Sequence, residues 1–108
     1  MASYQDLGAA DVAAMMRRGD ALRLIDVREP DEHRVAQIAG AELWPLSRAR
    51  AWLSNVPRDT LVVFVCHHGM RSASVAAYFA EHGYTNIANL TGGIDAWSCD
   101  VDPAVPRY

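Results

Sequence analysis

The residues best suited to chemistry form one short run, Cys66, His67, His68, Gly69, Met70, Arg71 and Ser72, read as CHHGMRS. It holds one of the chain's two cysteines, two histidines and a permanent cation. A cysteine at this point can be a small buried hydrophobe, a metal ligand, a disulfide-exchange thiol or a nucleophile. Disulfide exchange needs C-x-x-C, which is absent. A metal site needs ligands that converge, and adjacent residues such as Cys66, His67 and His68 rarely do. No partner pair at C-x₂-C or H-x₃-H spacing accompanies them, so no metal is expected. His33 and His82 stand alone and read as solvated.

The nucleophile reading gains weight from what surrounds the run. TLVVFV, residues 60–65, is a continuous apolar and β-branched stretch of strand length. SASVAAYFAEHGY, beginning at Ser72, is rich in alanine. It is apolar at Val75, Ala76, Phe79 and Ala80, and closed by Gly83, as a helix is. Cys66 therefore ends a strand, and a helix starts a few residues later. Gly69 is the residue able to take the positive φ that so sharp a turn needs. Such a loop aims the unsatisfied N–H groups of the helix start, and its positive dipole end, into one concavity. A thiol there loses its proton more readily than the reference thiol of pKa about 8.5, and values of about 3.5–7.5 occur in such settings. The thiolate is the attacking form, and the same amides hold an anion formed on it. Arg71 adds fixed positive charge and a fork for oxyanions. His67 and His68 either tune this field or merely line the rim.

These residues need a scaffold. LGAADVAAMMRRGD reads as a helix stopped by Gly19, and LRLIDV as a short strand. REPDEHRVAQIAGA reads as a turn with one helical turn after Pro30, and AELWPL as an edge-like strand halted by Pro45. SRARAWLSNV reads as a helix with Ser47 as its N-cap. NIANL is a strand, TGGIDAW a glycine turn with a last short helix, and SCDVDPAVPRY a tail running over the surface. Strands alternating with helices imply an open α/β domain with a mainly parallel central sheet flanked by helices. Ligands of such folds bind beyond the carboxyl ends of the strands, where the CHHGMRS run lies.

Composition removes other classes. The 108 residues suit one domain. A net charge of −3 argues against nucleic acid as a partner. All 10 basic residues are arginine, so no lysine Schiff base can form. No run approaches the roughly 20 apolar residues of a membrane span. The early acids of MASYQDLGAADVAAMMRRGD do not resemble a signal peptide. The expectation is a cytoplasmic protein with no membrane partner, whose Cys66 and Cys99 remain thiols.

Taken together, CHHGMRS after LVVFV, LIDVREPDEH upstream and LTGGIDAW downstream resemble the rhodanese-like sulfurtransferases. The three motifs stand in the family's order and span residues 24–97. The resemblance implies one rhodanese-like domain over residues 1–108, with its motif-bearing core at about 4–98 and the tail at 99–108. It implies that Cys66 takes a sulfane sulfur from a small donor such as thiosulfate and becomes a persulfide. Cyanide or a thiol, or a protein sulfur acceptor, then removes that sulfur, and no cofactor is required. The loop from His67 to Ser72 cradles the persulfide. Asp26 and Arg28 resemble the pair that braces the site, with Glu32 as a salt-bridge partner for Arg28. Gly92 and Gly93 resemble the turn before the last helix, and Trp97 is a packing residue.

Some phosphatases and arsenate reductases share this fold with a C-x₅-R loop. The spacing here is C-x₄-R, which makes a tighter cup and favours sulfur over phosphate. The chain departs from the family where Gly-His-Ile and Pro-Gly-Ala are usual, with Ala36, Gln37 and Ile38, then Ala39, Gly40 and Ala41. These positions lie outside the loop. Two rival functions remain, a phosphatase or arsenate reductase and a non-catalytic interaction module, with a mixed form, a protein-to-protein sulfur relay docked through arginines such as Arg48 and Arg50.

Overall fold

The computed structural model describes residues 3–108. Five strands form one sheet: β1 (Gln5–Leu7), β2 (Leu22–Asp26), β3 (Glu42–Leu43), β4 (Leu61–Val65) and β5 (Ile87–Leu90). Their order is β1-β5-β4-β2-β3, and every pairing is parallel. All carboxyl ends therefore lie along one edge. The helices are α1 (Ala9–Arg17), α2 (Pro30–Val35), α3 (Ala49–Trp52), α4 (Met70–Glu81) and α5 (Gly93–Asp100).

The period of two along each strand divides the core into two layers. Leu24, Val63, Val65, Ala88 and Leu90 pack with Val12 of α1 and Ile94 and Trp97 of α5. Ile25, Val62, Phe64 and Ile87 face the other way, onto Trp52 of α3 and Val75, Ala76 and Phe79 of α4. Residues Val62 to Val65 of β4 have no exposed surface, as a central parallel strand covered on both faces requires. Trp97 packs in this core, as expected.

Local departures from the sequence reading have physical causes. β1 is absent from the sequence reading, which puts only its last residue, Leu7, in the first helix: it is a three-residue edge strand, too short and too polar to show an alternation. Helix α4 begins at Met70, two residues before Ser72, because Gly69 takes the cap position with φ +98°. Ser47 does not cap α3, whose cap residue is Arg48. Its amide and hydroxyl instead donate to the Glu29 carboxylate. β3 shrinks to two residues at the sheet edge before Pro45. The tail does not stay on the surface. Asp102 to Ala104 are exposed, but Val105 is buried in the layer under α5. The Ser98 hydroxyl donates to its carbonyl and ties the segment down.

Candidate active site

Cys66 follows β4 directly and is buried, with 1% of its surface exposed. Its Sγ accepts the Gly69 N–H at 3.1 Å and the Ser72 N–H at 3.4 Å, and lies 3.3 Å from the Ser72 hydroxyl. The two amides belong to the loop and the first turn of α4. Burial pushes the thiol up, but the Ser72 hydroxyl and the Ser72, Gly69 and Arg71 amides outweigh it and hold the thiol below its ordinary range.

The Ser72 hydroxyl has one proton and two neighbours that could accept it. The contact to Asn89 Oδ1 is shorter, 2.6 Å, and Asn89 also donates from Nδ2 to the Gly69 carbonyl at 3.3 Å. Asn89 thus ties Gly69 and Ser72 to β5. Sequence reading missed it, although an amide inside a short buried strand was a visible signal.

The loop is held from behind by the turn after β5. Ile94 N–H donates to the Cys66 carbonyl at 2.8 Å and Asp95 N–H to the His67 carbonyl at 3.1 Å. The approach needs Gly93, since a Cβ there would meet those carbonyl oxygens at 2.4 and 2.5 Å. Gly92 precedes it in the same turn and is the cap residue of α5.

Asp26 ends β2 opposite Val65, the residue before Cys66. Its carboxylate takes Arg28 Nη2 at 2.7 Å and Nε at 3.0 Å, and both side chains are at most 1% exposed. The remaining Arg28 donors reach the Ala36 carbonyl at 2.6 Å and the Tyr108 hydroxyl at 2.8 Å. Glu32 is not the salt-bridge partner of Arg28, which meets only its backbone carbonyl. The Glu32 carboxylate instead holds Arg71 in a fork, at 2.7 and 2.8 Å. Helical geometry explains the exchange: Glu32 also caps the Glu29 N–H, which turns its carboxylate away from Arg28. Each Nη atom of Arg71 therefore gives one bond to Glu32, and three of the five N–H donors of the guanidinium are not used in that fork.

Arg71 holds Glu32 at a pKa of about 2, with burial opposing and the Glu29 and Tyr108 donors assisting. A carboxylate depressed in the folded state stabilises the fold above its unfolded pKa of about 4.3 and loses that contribution as pH falls toward 2. The expected result is a wild-type melting temperature that drops more steeply than that of Glu32→Gln between pH 4.5 and 2. Parallel acid titrations of the two proteins check this.

Cys66, His67, His68, Met70 and Arg71 line a cavity of about 210 Å³ above the thiol. Met70 stands at its mouth with 80% of its surface exposed. The His67 ring stacks on His68 at 3.9 Å and on Tyr108 at 3.8 Å. Burial and the neighbouring His68 lower the His67 pKa, which keeps that ring neutral at neutral pH. Tyr108 is the second residue that sequence reading missed, and nothing in the PAVPRY segment signals it. Cys99 is exposed on α5. Among the described residues no group of three His, Cys, Asp or Glu side chains could share a metal ion. Nor is any helix among them long and apolar enough to cross a membrane.

The family model for rhodanese-like domains matches residues 8–100. The chain is 38% identical over 95 residues to the Arabidopsis thaliana rhodanese-like/PpiC domain-containing protein 12, chloroplastic, covering 82% of this chain and 31% of that protein. It is 37% identical to a Mycobacterium tuberculosis probable adenylyltransferase/sulfurtransferase MoeZ, covering 83% of this chain and 24% of that one. The chain thus spans a third or less of those two relatives. Against the thiosulfate sulfurtransferase GlpE of Pseudomonas aeruginosa it is 30% identical, over 88% of this chain and 84% of that one. A rhodanese-related protein from Thermoplasma volcanium superposes with a TM-score of 0.81 at 31% identity, over 97% of this chain and all of that one. A Rhodopseudomonas palustris protein described as a possible tyrosine phosphatase superposes with a TM-score of 0.79 at 27% identity, over 97% and 85%.

Proposed function

The chain belongs to the rhodanese-like domain family, and from that premise we propose that it moves sulfane sulfur through a persulfide on Cys66. The observation that carries this reading is the Cys66 sulfur at the head of α4, accepting the Gly69 and Ser72 amides inside a C-x₄-R loop. The Cys66 thiolate attacks the outer sulfur of thiosulfate. The donor S–S bond breaks and sulfite leaves with the electron pair. The new Cys66 persulfide carries the negative charge on its terminal sulfur, in reach of the helix-start amides. An acceptor nucleophile, cyanide or a thiolate, then attacks that sulfur. The second S–S bond breaks and the Cys66 thiolate returns. No proton is left over in either step, and no cofactor enters. The reducing compartment that keeps Cys66 a thiol, and the single domain over residues 1–108, belong to the same reading.

Incubation with thiosulfate is expected to add the mass of one sulfur, mapped by peptide mass spectrometry to Cys66 and removed by cyanide. Alkylation with iodoacetamide across pH is expected to give a thiol midpoint below the ordinary value of about 8.5. An unmodified chain together with an ordinary midpoint would sink the proposal and favour a non-catalytic module.

A second reading, phosphatase chemistry, is favoured by the Rhodopseudomonas palustris likeness alone. Hydrolysis of an aryl phosphate without sulfur loading would establish it. Transfer to a protein acceptor, the relay form of the first reading, is supported by the resemblance to MoeZ. Efficient discharge to a carrier protein with poor turnover of cyanide would mark it.

A further inference from the structure

Tyr108 joins two ion pairs that no other side chain connects among the described residues. Its hydroxyl accepts Arg28 Nη1 at 2.8 Å and donates to Glu32 Oε2 at 2.8 Å. Arg28 is locked to Asp26 inside the sheet edge, and Glu32 is forked to Arg71 at the cavity. The run Asp26, Arg28, Tyr108, Glu32, Arg71 therefore extends from a fully buried pair to the cation beside the thiol. Burial raises the phenol above its ordinary range, with Arg28 pulling it back, so the proton given to Glu32 stays on the oxygen.

The outer pair needs this support. Arg71 and Glu32 side chains are 38% and 20% exposed, and a half-exposed ion pair swings readily because water competes for both partners. The inner pair cannot move. The Tyr108 ring is itself fixed, parallel to His67 at 3.8 Å with a 5° tilt, and its segment is anchored at buried Val105. Arg107 adds a tie to Asp95 on α5 at 2.9 Å. His67 of the loop, and Asp95 of α5 whose N–H bonds the His67 carbonyl, thus both hold the tyrosine's segment.

We propose that Tyr108 is a positioning residue that fixes the Glu32–Arg71 pair at the mouth and so sets how well the site receives an anionic sulfur donor. The proposal rests on the sulfur-transfer reading for its biological meaning, but not for its geometry. The hydrogen bonds on the Cys66 sulfur come from Gly69 and Ser72, and the tyrosine meets the loop through its stack on His67.

The test is Tyr108→Phe in the full chain, which keeps the ring and removes the hydroxyl. Cys66 is alkylated with anionic iodoacetate and with neutral iodoacetamide. The ratio of the two rates is expected to fall about three- to tenfold, the loss of one charge-assisted hydrogen bond. The iodoacetamide rate and its pH midpoint are expected to stay at wild-type values. With thiosulfate, KM rises by the same factor while kcat changes less than about twofold. Tyr108→Ala is expected to give the same ratio or a lower one. An unchanged ratio in Tyr108→Phe overturns the proposal. So does a parallel loss of the iodoacetamide rate, which would mark a general loosening of the loop. A changed ratio in a protein that never loads sulfur keeps the positioning role and removes the sulfur-transfer reading instead.

Discussion

Cys66→Ser is expected to abolish sulfur loading and to lower turnover of thiosulfate and cyanide by on the order of 10³-fold or more. The hydroxyl is small enough for the space, and it can accept the same Gly69 and Ser72 amides. Its acidity is the obstacle. The cradle brings a thiol within reach of ionisation at neutral pH, but the same few hydrogen bonds leave an alcohol protonated. An uncharged serine oxygen neither attacks a sulfane sulfur nor holds one. Intact mass after thiosulfate treatment should show the unmodified chain, and the fold should survive, with a melting temperature near that of the wild type. Sulfur transfer at wild-type rate by this variant would end the persulfide mechanism.

Arg28→Ala is expected to cost about 3–5 kcal/mol of folding stability, the usual result of leaving a buried charge without its partner. Asp26 would remain at 1% exposure with no cation, and the Ala36 carbonyl would lose its donor. A domain of this size has about 5–15 kcal/mol in total, so the variant sits near the edge of folding. Urea unfolding at pH 7 measures the loss, and a cost under about 1 kcal/mol would refute the bracing role. The pair Asp26→Asn with Arg28→Met should cost less than Arg28→Ala alone, since no buried charge is left unpaired. Because Val27 N–H bonds the Val65 carbonyl next to Cys66, partial loss of this corner should also blur the thiol's alkylation midpoint.

The sequence was most readable where one rule of chemistry coincided with one rule of geometry. LVVFV could only be a covered strand, because five consecutive apolar residues with three valines have no face to show to water. The alanine-rich segment after it could only be a helix, and the glycine between them marked the turn. The same logic placed Cys66 at the end of that strand, ahead of the helix. It was weaker for charges. Glu32 lies four residues beyond Arg28, which suggested an ion pair, yet a capping bond to Glu29 turned that carboxylate toward Arg71. Spacing along the chain says which charges are near in sequence. It does not say which way a helix end faces.

Asn89 and Tyr108 mark the limit more sharply. Each acts across the fold, from 17 residues beyond Ser72 and 76 beyond Glu32 respectively. Long-range partners are chosen by which strand lies beside which, and that is a property of the packed sheet. By itself the sequence determined the strand–loop–helix device and the place of Cys66 in it, because backbone hydrogen bonding and burial act locally on residue types. Only the tertiary structure decided that Arg71 faces the cavity already paired with Glu32, and that Tyr108 bonds the same carboxylate. Those choices depend on distances between segments that become neighbours only when the parallel sheet is assembled.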